Sequence, residues 1–74
     1  MTINGLKDGE QGVITRLGVD EQLRDRLFSF GISKAKHIKK LETSLGGFTI
    51  LVELDRRCII LRADEASAIE VEKV

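Results

Sequence analysis

Cys58 and His37 are the only thiol and the only imidazole in the chain, so a Cys–His pair is the first chemistry to test. Such a pair needs the base beside the thiol and a third group to orient it. Cys58 opens an apolar run, Cys58-Ile59-Ile60-Leu61, whereas His37 sits in a basic one, so the two belong to different kinds of surface. Cys58 therefore reads as a buried, inert thiol, and His37 as an exposed strand residue. One cysteine and one histidine also provide no metal-ligand spacing and no internal disulfide. The carboxylate pairs Asp64 with Glu65 and Glu70 with Glu72 read as solvated, without the burial or charge partner that shifts a pKa toward acid–base work. Gly5, Gly9 and Gly12 lead into a strand, not into a Lys-Ser/Thr helix start, and so read as turn glycines instead of a phosphate cradle. No catalytic, cofactor or metal constellation emerges, and an enzyme is disfavoured.

Two binding features remain. Lys34, Lys36, His37, Lys39 and Lys40 form the one dense basic stretch, which could hold phosphates. The chain as a whole carries twelve basic and twelve acidic residues, so only such a local patch would draw it to nucleic acid. Single-strand binders also stack bases on exposed aromatics, and here there are three Phe, no Tyr and no Trp, with two of the Phe wanted by the core. A charged strand guarding a sheet edge explains the lysines equally. Phe28 is the second feature. On a helical wheel it lies about 100° from Leu27 and beside Arg24, so it either widens a buried stripe or stands in solvent as an interface anchor.

The elements that position these residues follow from periodicity and punctuation. Residues 11–17 read as a first strand after the turn at Gly9 and Gly12. Leu23, Leu27 and Phe30 then mark a helix over 20–30. Asp20 caps its start, Arg24 and Arg26 lie toward its negative end, and Gly31 stops it with Ile32 folding back on Leu27. Residues 37–45 read as a strand in which Ile38 and Leu41 share a face only if a bulge intervenes. Gly46-Gly47 signals a hairpin into Phe48, Ile50, Val52 and Leu54, alternating inward. After the turn Asp55-Arg56-Arg57, the run Cys58–Leu61 reads as a strand covered on both sides. A helical turn over 63–68 and a final strand carrying Ile69 and Val71 close the chain.

Five short strands in 74 residues cannot form two useful sheets. The expectation is mainly β: a small SH3-like barrel of about five strands with a helix inserted after the first, and a split α+β sandwich as competitor. Residues 1–74 read as one domain. The longest apolar run is far below the roughly 20 residues of a membrane span, and no basic-then-apolar leader precedes Gly5, so a soluble, unexported protein is expected.

The order of pieces resembles a known family. Leu6-Lys7-Asp8-Gly9, then Leu23-Arg24-Asp25-Arg26-Leu27 ending in Phe30-Gly31-Ile32, then a strand pair, then Ile59-Ile60-Leu61-Arg62, Glu65-Ala66 and Ile69-Glu70-Val71, is similar to FeoA nearly end to end. The resemblance implies a cytoplasmic accessory protein of bacterial ferrous-iron uptake. It would be near the inner membrane only through its partner, the transporter FeoB, whose cytosolic part it would contact without catalysis, cofactor or tightly held metal. Arg24 and Phe28 are then the expected partner contacts, with Leu23, Leu27 and Phe30 as core. The alternative is a small nucleic-acid-binding barrel using Lys34–Lys40, and self-association through an unpaired strand edge is open to either. Two turns depart from the family. Lys34-Ala35 stands where members often carry Pro-Gly, and Asp55-Arg56-Arg57 where they often carry a glycine. The fold is also similar to the C-terminal domain of iron-dependent repressors, but no DNA-reading helix pair accompanies it here.

Overall fold

The computed structural model describes residues 1–18 and 20–74. A 3-10 turn at Ile3–Gly5 precedes β1 (Gln11–Leu17), α1 (Glu21–Ser29), β2 (His37–Thr43), β3 (Thr49–Leu54), β4 (Arg57–Arg62), α2 (Ala63–Ser67) and β5 (Ile69–Lys73). The strands make one antiparallel sheet in the order β4-β3-β2-β1-β5, the expected mainly β, SH3-like arrangement with its helix after the first strand. Ile14, Ile38, Ile50, Val52, Leu54, Leu61, Ile69 and Val71 turn their side chains to the concave side and form the core. Ile3 and Leu6 close one part of it and Leu27 and Ile32 another.

Helix α1 follows its local signals. Asp20 Oδ1 accepts the Leu23 N–H at 2.8 Å, satisfying one of the free amides of the first turn. At the other end Gly31 adopts φ 84°, the Ile32 N–H bonds Leu27 O at 3.0 Å and the Gly31 N–H bonds Phe28 O at 2.9 Å. This paired closure requires the left-handed conformation that glycine takes without a Cβ penalty. In β1, Gly12 is needed for another reason. A Cβ there would stand 3.0 Å from Val71 Cβ and 3.2 Å from Glu72 O, so β1 and β5 approach too closely for a side chain. At the far end of that pair Glu10 meets Lys73 Nζ at 2.5 Å and accepts the Lys7 N–H at 2.6 Å. Lys73 first, and that N–H second, hold its carboxyl below the usual carboxylate range.

The bulge that β2 needs is present: Lys40 pairs with Val52 but Glu42 with Leu51, leaving Leu41 as the extra residue. Two expectations are corrected. Strand β4 is not covered on both sides, because it is an edge strand with only one face on the core: Leu61 is buried, while Cys58 is exposed and Ile60 is 67% exposed. The thiol is therefore not the buried one that its apolar neighbours suggested. Phe48 does not continue the inward alternation of Ile50, Val52 and Leu54. It precedes β3, lies against Gly46 of the turn and is 78% exposed, because the hairpin tip projects beyond the core.

Both departures from the family's turn residues coincide with backbone strain. Ala35, Asp55 and Arg56 are the non-glycine residues at positive φ among the described residues, at 74°, 52° and 66°. Ala35 is the third residue of a turn closed by the Lys36 N–H to Ser33 O bond (3.2 Å) and pinned to β1 by its own N–H to Ile14 O (2.7 Å). That position favours glycine after proline. Ala35→Gly removes about 1–2 kcal/mol of left-handed strain against a glycine entropy cost of roughly 0.5–1 kcal/mol. The expected net gain is about 0.5–1 kcal/mol, read as a rise of a few degrees in the thermal unfolding midpoint. An unchanged or lowered midpoint would show that Ala35 carries no such strain.

Candidate docking surface

Helix α1 is held from one side. Leu27 is fully buried, Leu23 and Phe30 pack partly on the core, Arg26 Nη1 meets Glu65 Oε2 of α2 at 2.8 Å, and Arg57 Nη2 donates to Phe30 O at 2.7 Å. Arg26 also lies 5.8 Å from the centroid of the Phe30 ring, within cation–π range. One flank of the helix carries Arg24 and Phe28, both exposed, the phenyl-bearing residue to 48%. The widened buried stripe is thus not formed, and the sequence-predicted contacts Arg24 and Phe28 share one solvent-facing patch, one helical turn apart.

The remaining candidates are not brought into reactive geometry. Lys39 pairs across β3 with Glu53, and Glu53 with Cys58, which puts β3 between the strands of His37 and Cys58. Two strand spacings amount to about 10 Å, too far for proton transfer. No group of three His, Cys, Asp or Glu converges among the described residues. Of the four carboxylates expected to be solvated, Asp64 and Glu72 are exposed, whereas Glu65 and Glu70 are less so. Glu65 is buried, pairing with Arg26 and accepting the Arg62 N–H at 2.9 Å, so it caps α2 and ties it to α1. Glu70 meets Arg16 at 3.4 Å. Neither partner is close in sequence to its carboxylate, which is why periodicity could not find them.

The basic stretch is thinner than it reads. Lys40 is buried with its Nζ donating to Leu6 O at 2.8 Å and Asn4 O at 3.4 Å, and Lys36 pairs with Asp55 at 3.3 Å. Lys34, His37 and Lys39 remain without such partners among the described residues. Sequence reasoning missed a second surface. Ile60 is exposed with half-buried Leu51 opposite it on β3, and Leu45 and Phe48 stand exposed in the connection that precedes β3. The signal available was the pair of arginines, Arg57 and Arg62, bracketing β4, as charges bracket an unprotected edge. No helix among the described residues is long and apolar enough to cross a membrane.

Comparison with known proteins bears on the whole chain. The sequence profile of the FeoA domain matches residues 1–73. A Campylobacter jejuni protein described as a candidate Fe(2+) transport protein A is 50% identical over 74 residues, covering all of both chains. The solution structure of iron(II) transport protein A from Clostridium thermocellum superposes with a TM-score of 0.95 at 32% identity, over all of this chain and 46% of that one. FeoA from Chlorobium tepidum gives 0.93 at 26% identity, over all of this chain and 70% of that one. A manganese-dependent transcriptional repressor bound to manganese contains a similar unit, with a TM-score of 0.92 at 25% identity over 36% of its chain.

Proposed function

Because the chain belongs to the FeoA domain family, we propose that it is a non-catalytic accessory protein of bacterial ferrous-iron uptake that docks through α1 on the cytosolic part of the FeoB transporter. It acts in the cytoplasm and reaches the inner membrane only through that partner. The observation that carries the docking surface is Phe28: a large aromatic, 48% exposed, beside Arg24 on a flank of a helix that Leu27 anchors to the core. Aromatic and arginine side chains are those that most often dominate binding energy at protein interfaces. Modulation follows if α1 binds one conformational or assembly state of the transporter more tightly than another, since only differential affinity shifts an equilibrium. The nucleic-acid alternative is weakened by Lys40, which points inward, and by Lys36, which is paired.

Phe28→Ala tests this reading. Removing an exposed side chain is expected to leave the far-UV spectrum and unfolding midpoint close to those of the parent, while affinity for the purified cytosolic part of the transporter falls by at least about tenfold, the scale of an anchor residue. A folded Phe28→Ala protein that binds as well as the parent would exclude α1 as the docking surface.

A further inference from the structure

Strand β4 ends the sheet, and no described strand pairs with its outer edge. The Ala63 N–H bonds Phe48 O at 2.9 Å and the Arg62 N–H turns to Glu65 Oε1, which sets the phase of the β3–β4 ladder. Arg57, Ile59 and Leu61 therefore exchange bonds with β3, and the N–H and C=O of Cys58 and Ile60 point away from it. All six pairs of this ladder run without a bulge, and the chain has no proline, so two of the usual devices that protect an edge are missing. The outward side chain beside these groups is apolar, Ile60 being 67% exposed, and half-buried Leu51 of β3 lies opposite it.

The charges around this edge select its occupant. Strand β4 carries Arg57 and Arg62 and no acid, Arg56 precedes it, and none of the three takes part in the ion pairs of the described residues. Of the nearby carboxylates, Asp55 pairs with Lys36, Glu65 pairs with Arg26, and Glu53 lies on β3, inward of β4; Asp64 follows the strand, exposed, its Oδ1 accepting the Glu65 N–H at 3.0 Å. A second copy added symmetrically, Cys58 against Ile60, would set Arg56 against Arg62 at both ends, and like charges directly opposed destabilise a strand pair. We propose that the β4 edge binds an extended segment of a partner protein as a sixth strand, with apolar residues against Ile60 and acidic residues at its two ends against Arg56 and Arg62, Arg57 being engaged by Phe30 O. Main-chain bonds to Cys58 and Ile60 supply affinity and the arginines supply selection for acidic ends. Phe28 is no part of this surface, so the two docking readings stand or fall by different substitutions.

The test is an amide-resolved NMR titration with a blocked heptapeptide of alternating valine and threonine carrying glutamate at both ends. Saturable shifts and slowed hydrogen exchange are expected at the Cys58 and Ile60 amides, with about tenfold weaker binding when lysine replaces the terminal glutamates. Ile60→Pro is expected to abolish binding and keep the dispersed spectrum, because that N–H makes no bond to β3. Ile60→Lys, which keeps the amide but removes the apolar contact, is expected to weaken binding in the same sense. Absence of saturable shifts, shifts centred elsewhere, or equal binding by a folded Ile60→Pro protein would overturn the proposal. Protection of the two amides that rises with protein concentration before any peptide is added would also overturn it, assigning the edge to a second copy.

Discussion

Leu27→Ala is expected to destabilise the protein by about 3–4 kcal/mol, the middle of the range for truncating a buried leucine and leaving a cavity. Leu27 is the one fully buried side chain of α1, and it also offers the carbonyl that receives Ile32 in the closing turn. Global stability for a chain of this length is of order 4–11 kcal/mol, so the substitution removes roughly a quarter of it or more. The thermal midpoint should fall by roughly 20–25 °C, measured by circular dichroism. Native-state hydrogen exchange should show α1 amides losing protection before those of β3, because the helix has little else buried. A loss below about 1 kcal/mol would mean that the cap and the ion pair, not Leu27, hold the helix. The comparison with Phe28→Ala is informative, since neighbouring residues on one helix then separate stability from docking.

Arg26→Ala is the second large effect, at about 2–3 kcal/mol. The Glu65 side chain is 5% exposed, and Arg26, at 48%, is its only cationic partner among the described residues. Removing one member of a fully buried pair strands the other charge at a cost of about 3–5 kcal/mol, and the half-hydrated guanidinium lowers that expectation. Glu65→Gln should cost less, because an amide oxygen can still accept the Arg62 N–H. Arg26→Ala with Glu65→Gln should be more stable than Arg26→Ala alone, because the stranded charge is gone. Urea unfolding of the two single variants and the double variant gives the coupling energy directly. If Arg26→Ala cost no more than the few tenths of a kcal/mol typical of surface pairs, the link between α1 and α2 would be ornamental.

Helix α1 was legible in the sequence because everything that defines it is local. Asp20 reaches Leu23, and Gly31 and Ile32 reach back to Phe28 and Leu27, all within one or two turns. Strand β3 was legible for a similar reason, since Ile50, Val52 and Leu54 alternate whatever lies against them. Strand β4 was not. Cys58–Leu61 reads identically whether the strand is central or at an edge, and only the order β4-β3-β2-β1-β5 leaves Ile60 and Cys58 in solvent. The candidate site divides in the same way. Arg24 and Phe28 could be placed together on one helical turn, but the width of the buried stripe, and hence the exposure of Phe28, depended on what α1 packs against.

By itself the sequence determined the elements, their caps and turns, the inward face of β3, and the poverty of reactive side chains. Tertiary structure alone decided that Glu65 and Lys40 are buried with partners from distant segments, that Phe28 stands clear, and that β4 presents an open basic edge. Caps and alternation depend on hydrogen bonds and side-chain directions a few residues apart. Burial and ion pairing depend on which distant segments the folded chain lays against a residue, and no short window of sequence contains that information.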